Sequence, residues 1–242
     1  QTVVFGYACH ATVLSFYQWS GDYPGFAQMA IEEAHPGVEA MFFAGCGADQ
    51  NPLPRRTVDL AQGYGKRLAN AVEEVLLGTL RPFQGTLATY YEEVALPLDT
   101  LPTTDEIKAD LTSKNRFQAG RARWLLRAIK EGQPLQQHYP YPIATWKIGD
   151  TVTFVILGGE VVIDYVLGIK QLDTRSTTHR HVWVAGYSND VMAYIPSRRV
   201  LREGGYEGGS SMVYYGLPTL WAPEIEAIIM KTVHEQMKQP SR

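Results

Sequence analysis

The sequence predicts an α/β fold: a mostly parallel or mixed sheet flanked by helices. Short apolar runs alternate with helical periods over residues 1–78, the βαβ pattern of a mostly parallel sheet. A hairpin signal at Ile148-Gly149-Asp150 adds neighbouring antiparallel strands. A hydrophobic content of 45% with 19% charged residues supports a packed core rather than disorder.

Each element has a local reason. Thr2–Cys9 and Val38–Ala44 read as buried strands, short, apolar and ending in small residues. Pro24–Ala34 between them reads as a helix, with His35-Pro36-Gly37 as its stop. Thr57–Leu77 reads as an amphipathic helix, with Leu60, Tyr64, Leu68 and Val72 on one face and Gly78 at its end. Gly85–Leu96 alternates like an exposed strand, and the Pro- and Thr-rich residues 97–104 read as a loop. Thr104–Leu111 and Asn115–Glu131 read as helices; Arg121, Arg123 and Arg127 on the second are expected to form a solvated face. Tyr141–Lys147 and Thr151–Leu157 form the predicted hairpin. Glu160–Gln171 reads as a helix, His181–Gly186 as a strand, Ser197–Tyr215 as a Gly-rich loop and Pro223–Met237 as a closing helix.

Composition excludes some functions. The 242 residues favour one large domain over two small ones. The net charge of −3, without a basic run, argues against a nucleic-acid partner. The apolar stretches fall well short of the roughly 20 residues of a membrane-spanning helix, so no transmembrane segment is expected. The abrupt apolar start at Gln1 suggests a piece of a longer protein. Cys9 and Cys46 can form one bridge or stay free.

Ligands in open α/β sheets bind beyond the carboxyl ends of the strands. Polar residues stand there in apolar surroundings: Cys9-His10, the Gly45–Pro52 turn, Gly158-Gly159-Glu160, and Gly186–Asp190 followed by Tyr194. His10 is either a satisfied structural group or a metal ligand, since neutral imidazole is a common zinc ligand. Glu160, between glycines and an apolar run, is a desolvated carboxylate in need of a partner: a salt bridge or a metal. Cys46 in its Gly-rich turn could form a nucleophilic dyad with His10, although the turn lacks the G-x-C-x-G spacing. His179 and His181 have a metal-compatible spacing but no evident third ligand; they read as surface residues. His35, His138 and His234 receive no role.

Several of these strings, in order, resemble the neutral/alkaline non-lysosomal ceramidases. Phe5–Thr12 is similar to the family's strand with a zinc histidine, Ser20–Ala27 to its Ser-Gly-Asp segment, and Phe42–Pro52 to its Gly-Asp-Val-Ser-Pro-Asn region. Gly158-Gly159-Glu160 resembles the segment with a zinc glutamate, Tyr194-Ile195 that with a zinc tyrosine, and Arg202–Gly216 the Tyr-Glu-Ala-Ala-Ser-Thr…Tyr-Gly-Pro string. The match covers residues 1–75 and about 150–220, not 80–145.

The resemblance implies a ceramidase-like catalytic domain over residues 1–242 that lacks its N-terminal part. It implies a zinc ion held by His10, Glu160 and Tyr194, and Tyr206 as hydrogen-bond donor to the oxyanion of a small-molecule or lipid amide. The zinc would activate water and polarise the scissile carbonyl. The family's His-x-His string has no counterpart here, so an upstream segment or a separate chain is expected to complete the metal site. Asn51 stands where the family has a serine, and the family's C-terminal Ig-like domain has no counterpart. These departures resemble the shorter bacterial ceramidase-like hydrolases, and the resemblance implies a secreted or periplasmic location. The rival readings are a non-catalytic ligand-binding domain on the same fold and the Cys46–His10 hydrolase.

Overall fold

The structure is a computed structural model that describes residues 1–174 and 181–241. It opens with β1 (Thr2–Tyr7), α1 (Asp22–Ala34), β2 (Glu39–Ala44) and α2 (Val58–Leu76). β1 and β2 pair in parallel, from Thr2 opposite Glu39 to Tyr7 opposite Ala44. α1 and α2 pack on one another and on this pair, through Phe5, Ile31, Ala40 and Ala69. α2 starts at Thr57, whose side chain accepts from the Leu60 N–H at 3.2 Å and satisfies one orphan donor of the first turn. Its deepest line is Ala61, Gly65 and Ala69, and the larger Leu60, Tyr64 and Leu68 flank it. Small residues let the two helices approach closely.

The second sheet has the order β3-β4-β5-β7. β3 (Leu87–Pro97), β4 (His138–Ile148) and β5 (Val152–Leu157) are antiparallel. β7 (His181–Ala185) lies parallel to β5. A bridge between Gly45 and Ala185, and a Gly186 N–H donated to the Ala44 carbonyl at 3.0 Å, join the two sheets where β2 and β7 end. The architecture is therefore mixed: the parallel pairs β1–β2 and β5–β7 flank a seam whose own bridge is antiparallel.

α3 (Thr104–Asp110) and α4 (Arg116–Lys130) form a helical insertion after β3. α5 (Ile163–Thr174) and α8 (Ile225–Lys238) cover the second sheet and enclose the main core around Leu96, Tyr141, Ile143, Leu157, Tyr165, Ile169 and Ile229. Among the described residues no helix is long and apolar enough to cross a membrane.

Four expectations need correction. β1 and β2 are not buried strands: Val4 and Met41 on them are exposed, because only one face of this two-stranded pair is covered, by α1 and α2. Glu160 does not open a helix. It begins the short β6 (Glu160–Val161), which pairs in parallel with β8 (Tyr194–Ile195). The helix starts at Ile163, where the Asp49 carboxylate accepts the Ile163 N–H at 2.9 Å. That cap comes from a distant turn and is invisible to local periodicity. Ser197–Tyr215 is not a loop: it holds α6 (Arg198–Glu203), a π-type turn (Tyr206–Ser210) and α7 (Met212–Tyr215). Ser197 caps α6 through its hydroxyl, and Gly204 and Gly205, at φ 72° and 75°, break the helix before the π-type turn. Finally, Arg121 is not wholly solvated: it reaches across to Asp110 at 3.2 Å and pins α4 to α3.

Candidate functional site

His10 sits just beyond β1, at the seam between the sheets. Its backbone N–H donates to the Gln50 carbonyl at 2.9 Å, and its Nε2 lies 2.7 Å from the Ala48 carbonyl. These contacts require the 45–50 turn to lie flat against residues 8–10. Gly47 makes that approach possible, because a Cβ there would stand 2.4 Å from the backbone of Ala8 and Cys9. The Tyr23 hydroxyl donates to the Cys9 carbonyl at 2.7 Å and braces the same segment from α1.

Glu160 reaches the site from the β5–β6 turn. Gly159 has φ +70°, and its missing Cβ would fall 2.6 Å from the Ile195 side chain. Glycine there lets β6 lie beside β8, and the Glu160 N–H donates to the Ala193 carbonyl at 2.8 Å. This register sets Glu160 opposite Tyr194. The Tyr215 hydroxyl, from the end of α7, donates to Glu160 Oε1. Glu160 Oε2 lies 3.8 Å from His10 Nδ1, and the two side chains are only 13% and 11% exposed.

Tyrosines complete the pocket. The Tyr194 hydroxyl lies 3.2 Å from His10 Nε2, and that of Tyr187 lies 3.2 Å from Nδ1. Tyr206 stands edge-on to Tyr194 with ring centroids 5.3 Å apart, and is 46% exposed at the mouth. Burial first, and then the nearby Glu160 carboxylate, push the phenols of Tyr187, Tyr194 and Tyr215 well up. Tyr206 is raised by burial first and by Tyr214 and Glu160 after it. All four are hydrogen-bond donors at neutral pH.

The four residues expected to carry the chemistry thus come together from β1, β6, β8 and the π-type turn. Tyr187 and Tyr215 join them without a role read from the sequence. Both lay inside strings that stood out, yet only the fold shows that their hydroxyls turn inward. Other candidates lie apart. Both cysteines are free thiols. Cys46 is 1% exposed, and burial, then Asp49, pushes its thiol up to about 12, so it is no nucleophile at neutral pH. Asn51 is exposed and accepts from Arg55 at 3.1 Å. His35 pairs with Glu73 at 2.8 Å, and His181 and His138 are exposed. His179 lies outside the described residues.

The donor chemistry fits a zinc ion. An imidazole nitrogen and a carboxylate oxygen 3.8 Å apart can both lie about 2 Å from one ion. Tyr194 adds a phenol oxygen beside them. Among the described residues no set of three His, Cys, Asp or Glu side chains converges.

No family model matches the chain, and no curated protein matches it in sequence. Solved structures do. The chain is similar to neutral ceramidase from Pseudomonas aeruginosa, with a TM-score of 0.69 and 17% identity over 98% of this chain and 43% of that one. It is similar to a ceramidase complexed with C2, with a TM-score of 0.69 and 15% identity over 100% of this chain and 46% of that one. It spans less than half the length of either. At these identities the likeness is one of architecture: the chain has a ceramidase-like fold.

Proposed function

We propose that the chain carries part of the catalytic centre of a zinc-dependent amide hydrolase of ceramidase type. Its substrate would be a small-molecule or lipid amide, such as a ceramide-like N-acyl compound. One observation carries the reading: four distant segments bring His10, Glu160, Tyr194 and Tyr206 to one partly buried point, with His10 Nδ1 3.8 Å from Glu160 Oε2.

In this reading His10, Glu160 and Tyr194 hold zinc, and residues outside this chain complete the set. A bound zinc supplies a water of lowered pKa and a Lewis acid for the scissile carbonyl. The Ala48 carbonyl orients His10, and the Tyr215 hydroxyl occupies Glu160 Oε1, leaving Oε2 toward the histidine. Tyr206 is a protonated phenol at the mouth, placed to donate to the amide oxygen as it gains negative charge. A secreted or periplasmic location belongs to the same reading and stands with it.

Elemental analysis of the purified protein tests the reading. Near-stoichiometric zinc that is lost in His10→Ala and Glu160→Ala supports it, together with release of fatty acid or amine from N-acyl substrates. Zinc near zero in the full-length protein would retire the mechanism and leave a ligand-binding domain.

A further inference from the structure

The helices cover one face of the two sheets. Phe5 and Ala40 lie in the core under α1 and α2, and Val155, Leu157, Val182 and Val184 in the core under α5 and α8. Strand alternation sends their neighbours to the other face. There the register sets Val4 beside Met41, and Trp183, Phe154 and Trp146 in one row across β7, β5 and β4. Phe43 extends this row across the seam. Its ring centroid lies 5.4 Å from that of Trp183, stacked at 26°, and 5.0 Å from that of Phe154, edge-on. Gly6 leaves room for the Phe43 ring, since a Cβ there would stand 2.3 Å from it.

This second face is open. Trp146 and Trp183 are 46% and 42% exposed, and Val4 and Met41 are exposed beside them. A single exposed apolar side chain is ordinary, but a contiguous patch of this kind marks an interaction surface. Its anatomy is that of an interface, with an aromatic centre and with Glu39 and His181 at its rim, where β2 and β7 start. The topology argues the same way. β1–β2 and β5–β7 pair in parallel, and parallel strands belong to sheets covered on both faces.

Two observations point to the occupant. The two ceramidase structures match 98% and 100% of this chain, yet more than half of each lies outside the match. The patch also runs up to the seam. Phe43 and Trp183 each stand two residues before the Gly45–Ala185 bridge, and the turn that follows Gly45 lies against His10. A segment seated on the patch therefore borders the candidate site. A second copy of the chain would cover the aromatic rings but accounts for neither observation.

We propose that this sheet face is the docking surface for a further segment of the same polypeptide, outside residues 1–242, whose apolar layer closes over Phe43, Phe154, Trp183 and Trp146. The assignment uses the ceramidase-like architecture and holds whether or not zinc binds.

Hydroxyl-radical footprinting of the full-length gene product tests it, with oxidation of each tryptophan read by mass spectrometry. Trp221, 1% exposed, is the buried standard. Trp146 and Trp183 should react as slowly as Trp221 in the native protein and lose that protection in urea. Native oxidation of either one well above that of Trp221 overturns the proposal. Photo-crosslinking then identifies the occupant. Benzoylphenylalanine put in place of Met41, at the edge of the patch, should attach to a peptide of the same molecule outside residues 1–242. A cross-linked dimer, a cross-link confined to residues 1–242, or no cross-link overturns it. Zinc analysis of the same preparation separates the two readings. Protected tryptophans without zinc sink the hydrolase reading alone, and zinc with reactive tryptophans sinks the docking surface alone.

Discussion

At the scale of residues, the site is a pair of acceptors, His10 Nδ1 and Glu160 Oε2, lined by phenol donors. Tyr206 is separable from that pair. It touches Tyr194 by its ring edge and forms no hydrogen bond with His10 or Glu160 in the structure. On the proposed hydrolase reading, Tyr206→Phe should leave zinc binding intact while kcat falls about 10²- to 10³-fold, the cost of losing one oxyanion donor. Single-turnover hydrolysis with parallel metal analysis checks it; loss of zinc would show that Tyr206 serves the metal instead. Cys46 gives a second residue-level expectation. Its buried, raised thiol should resist iodoacetamide at pH 8 in the native protein and react on denaturation. Rapid native labelling of Cys46, seen by mass spectrometry, would reopen the cysteine mechanism.

At the scale of elements, the strand ends matter more than the strands. β1 delivers His10 only because the 45–50 turn lies against it, and that contact has no room for a Cβ at position 47. Gly47→Ala should shift this turn, disturb the His10–Ala48 hydrogen bond and lower stability and, on the proposed reading, zinc affinity. Its chemical-denaturation midpoint and zinc titration check both effects. A Thr57→Ala change serves as contrast. It removes the α2 cap without touching the packing of Gly47, and should cost about 1 kcal/mol with zinc affinity, on the proposed reading, unchanged. Most helices and strands were legible in the sequence because their signals are local: apolar period, caps and turn residues. β6 and the Ser197–Tyr215 helices were not. Two residues of strand carry no period, and the cap of α5 comes from Asp49.

At the scale of the whole molecule, one core joins the second sheet to α5 and α8. Ile229 is fully buried there, and Ile229→Ala should cost roughly 2–5 kcal/mol in denaturant unfolding. The core also carries a pH dependence. Burial holds the phenols of Tyr141 and Tyr165 well above 10, and burial with Asp190 pushes Tyr139 up to about 12. Above about pH 10 the unfolded chain sheds protons that the folded chain keeps, so stability must fall as pH rises. Denaturation midpoints at pH 8 and pH 11 should show that loss. A flat profile would mean that these phenols are not buried as described.

The sequence by itself determined the fold class and most element boundaries; His10, Glu160 and Tyr194 stood in strand-end polar strings, and Tyr206 entered only through the family resemblance. Apolar periods and strand-end polar strings are written in consecutive residues. Only the tertiary structure decided which groups face one another. It showed that Tyr187 and Tyr215 turn inward, that Cys46 is sealed away and that Asn51 faces solvent. The physical reason is that hydroxyl direction, burial and capping depend on backbone hydrogen bonds between segments far apart in the chain. The seam where β2 and β7 end sets those bonds, and no local pattern encodes it.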